Sequence, residues 1–177
     1  MSESLYFIAV VPPTEIQEAI TKLKHEIVEK YQSSHALKTP PHITLHMPFK
    51  WKDKRFEDLV KVIKDLNSDL EPFEVQLQGF DFFEPRVVFV NVVENDKLEK
   101  LQKKVVDICR KNLKLDNANY KNLPFHPHIT IGFRDLKKRM FYEAKQEFEA
   151  RTYKSTFKVV QITLLKHDGK KWNVVEL

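Results

Sequence analysis

A five-residue phrase occurs twice in this chain and limits the available folds more than any other feature. Pro41-His42-Ile43-Thr44-Leu45 returns as Pro127-His128-Ile129-Thr130-Ile131, 86 positions later. In an extended strand, residues two apart project from the same side. Each copy therefore offers one imidazole and one hydroxyl on a shared face. A helix would turn the same two side chains away from each other. Two such strands facing one another would surround a common point with two imidazoles and two hydroxyls, a set suited to general acid–base chemistry on a phosphate ester.

The patterning around the phrase repeats as well. Leu5–Val11 reads as a buried strand, and Thr14 with Gln17 fits a capping box for a helix carrying Ile16, Ile20, Leu23, Ile27 and Tyr31. His42–Phe49 is the next strand, and Phe56, Leu59, Ile63 and Leu66 mark a second helix. Strands are predicted over Phe73–Gly79 and Arg86–Val93. Asp96 with Glu99 then starts a third helix, a polar loop over 116–122 leads to the His128 strand, and Met140, Phe141, Ala144 and Phe148 set the inner face of a fourth helix. Tyr153–Lys166 reads as one long strand, and Asp168-Gly169 turns it into a returning strand over Lys171–Val175. The order strand, helix, His-strand, helix, strand thus occurs twice. It predicts an α+β fold, a single bilobal domain over 1–177 with halves near 1–80 and 81–177, and strands free to exchange between them. Each lobe is expected to be a mainly antiparallel sheet with helices on its outer face and one His-strand at the central cleft.

Composition narrows the setting. The formal charge of +5 favours anionic ligands modestly. Cys109 is the only cysteine, on the apolar side of the third helix, which excludes an intrachain disulfide and points to a reducing compartment. The apolar run Leu5–Val11 is too short to span a membrane, so a cytoplasmic monomer without membrane association is expected.

The phrase is specific because it is double. Seven histidines and eight threonines in 177 residues give about 0.3 His-x-Thr pairs by chance. Two copies, each preceded by proline and with isoleucine between, are far rarer. Strand alternation places His42, Thr44 and His46 opposite Ile43, Leu45, Met47 and Phe49. It likewise places His126, His128, Thr130 and Gly132 opposite Ile129, Ile131 and Phe133. Burying the polar faces without partners would be costly, so they are expected to line a wet cleft.

With both motifs in view, the chain resembles the 2H phosphoesterase superfamily, which includes 2′-5′ RNA ligase-like proteins and cyclic nucleotide phosphodiesterases. Its two His-hydrophobic-Thr/Ser-hydrophobic motifs are matched by His42-Ile43-Thr44-Leu45 and His128-Ile129-Thr130-Ile131. Phe125-His126-Pro127-His128 resembles the family's lead-in to the second motif. Where many members carry Phe-Leu-Gly after the first, this chain has His46-Met47-Pro48-Phe49-Lys50-Trp51, which bears on substrate subclass. The resemblance implies cleavage of a 2′,3′-cyclic phosphate, or of a related cyclic or 2′,5′-linked ester, on RNA or a nucleotide, without metal or other cofactor. Some members also join RNA ends through a 2′-5′ bond.

Histidine supplies acid and base because its ordinary pKa of about 6.5 allows either form near neutrality. One assignment makes His128 the base and His42 the acid in ring opening; the reverse stays open, because hydrolysis and ligation exchange the roles. Thr44 and Thr130 would donate to the non-bridging phosphate oxygens. Arg134 lies on the same face if its strand persists. His46 could reach the cleft or remain a partly exposed strand histidine. Phe49, Trp51 and Tyr120 are candidates for stacking a base or for packing. Two other readings stay open: a metal hydrolase ligated by His42, His46, His126 and His128, and a nucleotide- or RNA-binding module without turnover.

Overall fold

The elements follow the repeated order, with one strand split in two. A computed structural model describes residues 2–117 and 123–177. In chain order it contains β1 (Glu3–Val10), α1 (Thr14–Tyr31), β2 (Ile43–Lys52), α2 (Phe56–Asp69), β3 (Phe73–Phe83) and β4 (Val87–Val92). These are followed by α3 (Asp96–Ile108), β5 (His128–Gly132), α4 (Lys138–Glu149), β6 (Lys154–Val159), β7 (Thr163–His167) and β8 (Trp172–Val174). They form two four-stranded antiparallel sheets, ordered β2-β1-β7-β8 and β5-β4-β3-β6. The architecture is α+β.

The halves interlock. β3 follows α2 in the first half yet pairs with β4 and β6 in the second sheet, while β7 and β8 return to complete the first. Helices cross over too: α1 packs against β5, and α3 against β2. Each His-strand is thus supported by the other half's first helix. One buried cluster joins both sheets and all four helices, and it includes Ile20 and Ile27 of α1, Leu98 and Val105 of α3, and Ile43 and Ile129 of the His-strands. At roughly 1.5–3 kcal/mol for each fully buried aliphatic side chain, this shared core ties the two sheets into one unit. Cys109 belongs to it, and burial pushes its thiol up to about 12, so it is an inert core residue. Among the described residues, no helix is long and apolar enough to cross a membrane.

Two local expectations are corrected. The long strand predicted over Tyr153–Lys166 is two strands in different sheets. Asn67 near the end of α2 grips the crossover, its Oδ1 accepting from Ile162 N at 2.7 Å and its Nδ2 donating to Ile162 O at 3.1 Å. The Thr14–Gln17 capping box does not form, because Pro13 is the N-cap and Gln17 Nε2 donates instead to Pro12 O at 2.8 Å. α3 starts at Asp96 as expected, and its cap is Asn95, with its Oδ1 accepting from Leu98 N at 2.9 Å.

Candidate active site

Strand register decides which motif residues reach the cleft. On β1, Ala9 pairs with Thr44, but the next pair is Ile8 with His46, so β2 carries an extra residue at Leu45. On β4, Phe89 pairs with Thr130 and Val88 with Gly132, so β5 carries its extra residue at Ile131. The two bulges sit 86 positions apart, like the motifs. A bulge inserts one residue and flips the alternation beyond it. Thr44 and Ala9 therefore share the cleft face with Phe7 and Leu165, while His46 turns with Ile8 into the helix-side core. The equivalent position, Gly132, is buried, and a Cβ there would lie 3.2 Å from Ile27 Cγ2.

This bulge corrects the expectation for His46. It is 1% exposed, its Nδ1 donates to Met47 O at 2.8 Å, its ring meets Phe49 edge-on at 5.2 Å, and its Nε2 is buried without a partner. A second irregularity between His46 and Phe49 restores the original parity, and Phe49 and Trp51 also face the core. Phe49 stacks on Tyr6, while Trp51 Nε1 donates to Arg55 O at 2.7 Å beneath the Arg55 guanidinium. None of the three reaches the cleft. His46→Leu removes a buried, half-satisfied ring and should leave stability unchanged or raise it by about 1 kcal/mol, without raising KM. Urea unfolding and steady-state kinetics check this.

The two motif histidines are held alike. His42 Nδ1 lies 2.8 Å from Pro40 O, and His128 Nδ1 lies 2.7 Å from His126 O, each carbonyl two residues back. A carbonyl only accepts, so both rings must carry the proton on Nδ1, which leaves Nε2 as a bare acceptor. Both rings are half-buried, and neither Nε2 is sealed off as that of His46 is. The side chains of Thr44 and Thr130 are likewise half-buried and take no protein partner among the described residues.

The surroundings keep both rings neutral. Burial is the main cause that lowers His42 to about 4, partly opposed by the Pro40 carbonyl and reinforced by the charges of Lys24 and His128. Burial also lowers His128, opposed by the His126 carbonyl and reinforced by the His126 charge. The effect of His128 on His42 reflects their approach across the cleft where β2 meets β5.

The walls differ. His42 packs against Phe7 at 4.9 Å, and Phe7 meets Trp172 edge-on at 4.7 Å. His128 lies 5.0 Å from both Phe83 and Phe89. Beneath Thr130 the floor is Phe89, whereas beneath Thr44 it is Ala9. Phe83 is 37% exposed beside His126 and His128, and among the described residues it is an open aromatic face at the second motif. Sequence reading missed Phe7, Phe83, Phe89 and Trp172, because nothing in local periodicity says which strands become neighbours.

Arg134 needs a further correction. β5 ends at Gly132, so Arg134 is not on its face; it is exposed, has φ 67°, and lies over the Phe133 ring at 5.9 Å. The turn instead presents Asp135 to the approach of the first motif. Its carboxylate accepts from Ser33 Oγ at 2.6 Å, Ser34 N at 3.0 Å and His35 N at 3.2 Å. Burial pulls this carboxyl upward, but the Ser33, Ser34 and His35 donors hold it below the usual range. Tyr120 lies outside the described residues. Among those described, no three histidine, cysteine or carboxylate side chains come together as a metal site, and the turn of His46 into the core removes it from any such set.

A sequence profile described as the 2′-5′ RNA ligase superfamily matches residues 12–171. Two proteins each named "Putative phosphoesterase" are similar. That of Geobacillus sp. (strain WCH70) is 31% identical over 133 residues, covering 74% of this chain and 69% of its own. That of Oceanobacillus iheyensis is 26% identical, covering 97% and 95%. Among solved structures, TT0787 of Thermus thermophilus superposes with a TM-score of 0.68 at 20% identity, covering 97% of this chain and 95% of that one. E. coli LigT complexed with 3′-AMP superposes with a TM-score of 0.62 at 20% identity, covering 99% and 97%.

Proposed function

The chain belongs to the 2′-5′ RNA ligase superfamily, the two-histidine phosphoesterases, and from that premise we propose that it is a phosphodiesterase opening 2′,3′-cyclic phosphate ends of RNA or nucleotides. The observation that carries this reading is the matched pair of Nδ1 bonds. Each bond leaves Nε2 of a half-buried ring as a bare acceptor, the charge of His128 acts on His42, and among the described residues neither Thr44 nor Thr130 gives its hydroxyl to a protein partner, which supports a shared cleft. E. coli LigT has been crystallised with 3′-AMP, ATP and phosphate, which supports a nucleotide ligand for the shared fold.

Ring opening proceeds by in-line displacement. His128 Nε2 takes a proton from water as its oxygen attacks phosphorus, and the bond to one ribose oxygen breaks. His42 Nε2 gives that oxygen a proton. Burial and the Lys24 charge oppose protonation of His42 in the free protein, so this assignment requires the bound phosphate to stabilise its imidazolium; with His42 as base and His128 as acid the same geometry serves. Thr44 and Thr130 hydroxyls donate to the non-bridging oxygens, where charge must be held as the bonds exchange. Joining a 2′-5′ bond would run the same steps backwards with the histidines exchanged. Phe83, open beside His128, is the aromatic surface suited to the nucleoside.

The test is a panel of substrates with the purified protein: 2′,3′-cyclic mononucleotides, RNA ending in a 2′,3′-cyclic phosphate, 3′,5′-cyclic nucleotides and linear 2′,5′-linked dinucleotides. The 2′,3′-cyclic compounds should have the highest kcat/KM. Tight binding of a nucleotide monophosphate with no turnover across the panel would instead favour a binding module.

A further inference from the structure

Lys24 is a buried cation that the proposed reaction does not use directly. It lies on α1, is 2% exposed, and donates from Nζ to Ala36 O at 2.9 Å and Thr39 O at 2.7 Å. Among the described residues no carboxylate pairs with it. A lone ammonium is expensive to bury, and an apolar side chain could fill the same space more favourably. The side chain takes an apolar position of the helix, one turn from both Ile20 and Ile27.

What it holds is the segment that delivers His42. A short 3₁₀ turn, His35–Lys38, is followed by Thr39, Pro40 and Pro41. Asp135 fixes the start of this segment through Ser33, Ser34 and His35. Lys24 fixes its middle through two carbonyls, the second belonging to the residue just before Pro40. The Pro40 carbonyl then accepts the hydrogen bond from His42 Nδ1–H. The two prolines restrict φ and carry no N–H, so little else can adjust the direction of that carbonyl. Among the described residues the second half shows no such device: the position 86 residues on from Lys24 is Arg110, which is exposed and pairs with Asp107 and Asp116.

We propose that Lys24 is a positioning residue for His42: by tying the Ala36 and Thr39 carbonyls to α1 it aims the Pro40 carbonyl, and so fixes the Nδ1–H tautomer of His42 with Nε2 turned to the cleft. The proposal rests on the two-histidine reading of the site. Burial lowers Lys24 to about 7, so ammonium and amine are near balance at neutral pH, and either form can supply both hydrogen bonds. The ammonium form also opposes protonation of His42, as does His128 across the cleft. Otherwise similar histidines are thereby made unequal.

The test reads the imidazoles directly by ¹⁵N NMR of the intact protein. In the wild type, His42 should show the Nδ1–H tautomer and take up a proton at lower pH than His128. Lys24→Met keeps the apolar stem and removes the donors. It should leave the melting temperature unchanged or raised, mix the His42 tautomers, and move His42 titration upward while that of His128 stays in place. Turnover of a 2′,3′-cyclic mononucleotide should fall about 10- to 100-fold with KM within about threefold. Lys24→Arg, which retains charge and donors, should recover the tautomer and most of kcat. A folded Met variant with His42 tautomer and titration unchanged would overturn the proposal, as would a wild-type His42 carrying its proton on Nε2 or titrating above His128. The wild-type spectrum decides even if the Met variant fails to fold. The ring spectra also decide if no cyclic phosphate is a substrate, which separates this proposal from the proposed reaction.

Discussion

Alanine at either His42 or His128 should lower turnover of a 2′,3′-cyclic phosphate by about 10²- to 10⁴-fold, the range that a positioned acid or base contributes. In the proposed reaction each ring supplies one proton transfer, and among the described residues no neighbouring group is placed to take over. His46, the nearest other histidine in β2, is turned into the core by the bulge at Leu45. His126 lies beside His128, with ring centres 6.2 Å apart, but its own carbonyl is the acceptor that orients His128. The loss should fall on kcat, because the threonine hydroxyls and the aromatic walls to which the proposal assigns substrate binding remain. The double variant should be little worse than either single one, because acid and base act as a unit. Single-turnover rates on a fluorescent cyclic nucleotide check all three. A single variant within about tenfold of wild type would remove that histidine from the chemistry.

The second large effect is on stability in acid. His42 is neutral in the folded protein, with its pKa lowered from 6.5 to about 4, whereas in the unfolded chain it titrates near its ordinary value. Between these limits the unfolded chain takes up a proton that the native state refuses. Stability is therefore full above about pH 6.5 and falls as pH drops towards 4, by up to about 3 kcal/mol for this ring alone. His128 and His46 are lowered in the same direction and add to the fall. Carboxylates such as Asp168, held at about 2 by Lys171 and Lys170 amides and the Asn173 side chain, act only in a more acidic window. Urea midpoints measured from about pH 7 to about pH 4.5 should drop steeply in wild type and more gently in His42→Gln, which has no ring to protonate. Parallel curves would show that His42 is not a buried neutral group.

The alternation of strand faces held as far as Thr44 and Thr130 and failed one residue later, for a physical reason. Alternation along a strand is local, so the shared face of His42 and Thr44 could be read directly. The bulges at Leu45 and Ile131 depend on pairing with β1 and β4, distant in the chain, and leave no mark in the local pattern. His46, Phe49 and Trp51 therefore read as cleft candidates although all three are core. The pattern allows strands to exchange between halves without saying which, because the pairings of β3 with β6 and of β7 with β1, and the Asn67 bonds to Ile162 at the crossover, join distant parts of the chain. Arg134 misled because β5 stops at Gly132, while its neighbour Asp135 has a role that only the folded partners Ser33, Ser34 and His35 reveal. Lys24 did leave a signal: a lysine on the apolar face of α1, between Ile20 and Ile27, is either at the surface rim or holding something inside.

The most direct measurement follows one RNA oligonucleotide ending in a 2′,3′-cyclic phosphate through reaction in ¹⁸O-labelled water with a strong chelator present. Two histidines and two hydroxyls acting by in-line displacement predict full activity in chelator, one labelled oxygen in the product phosphate, and a single phosphomonoester isomer. Loss of activity in chelator with recovery on adding a divalent cation would contradict that account, as would an equal mixture of 2′- and 3′-phosphate products.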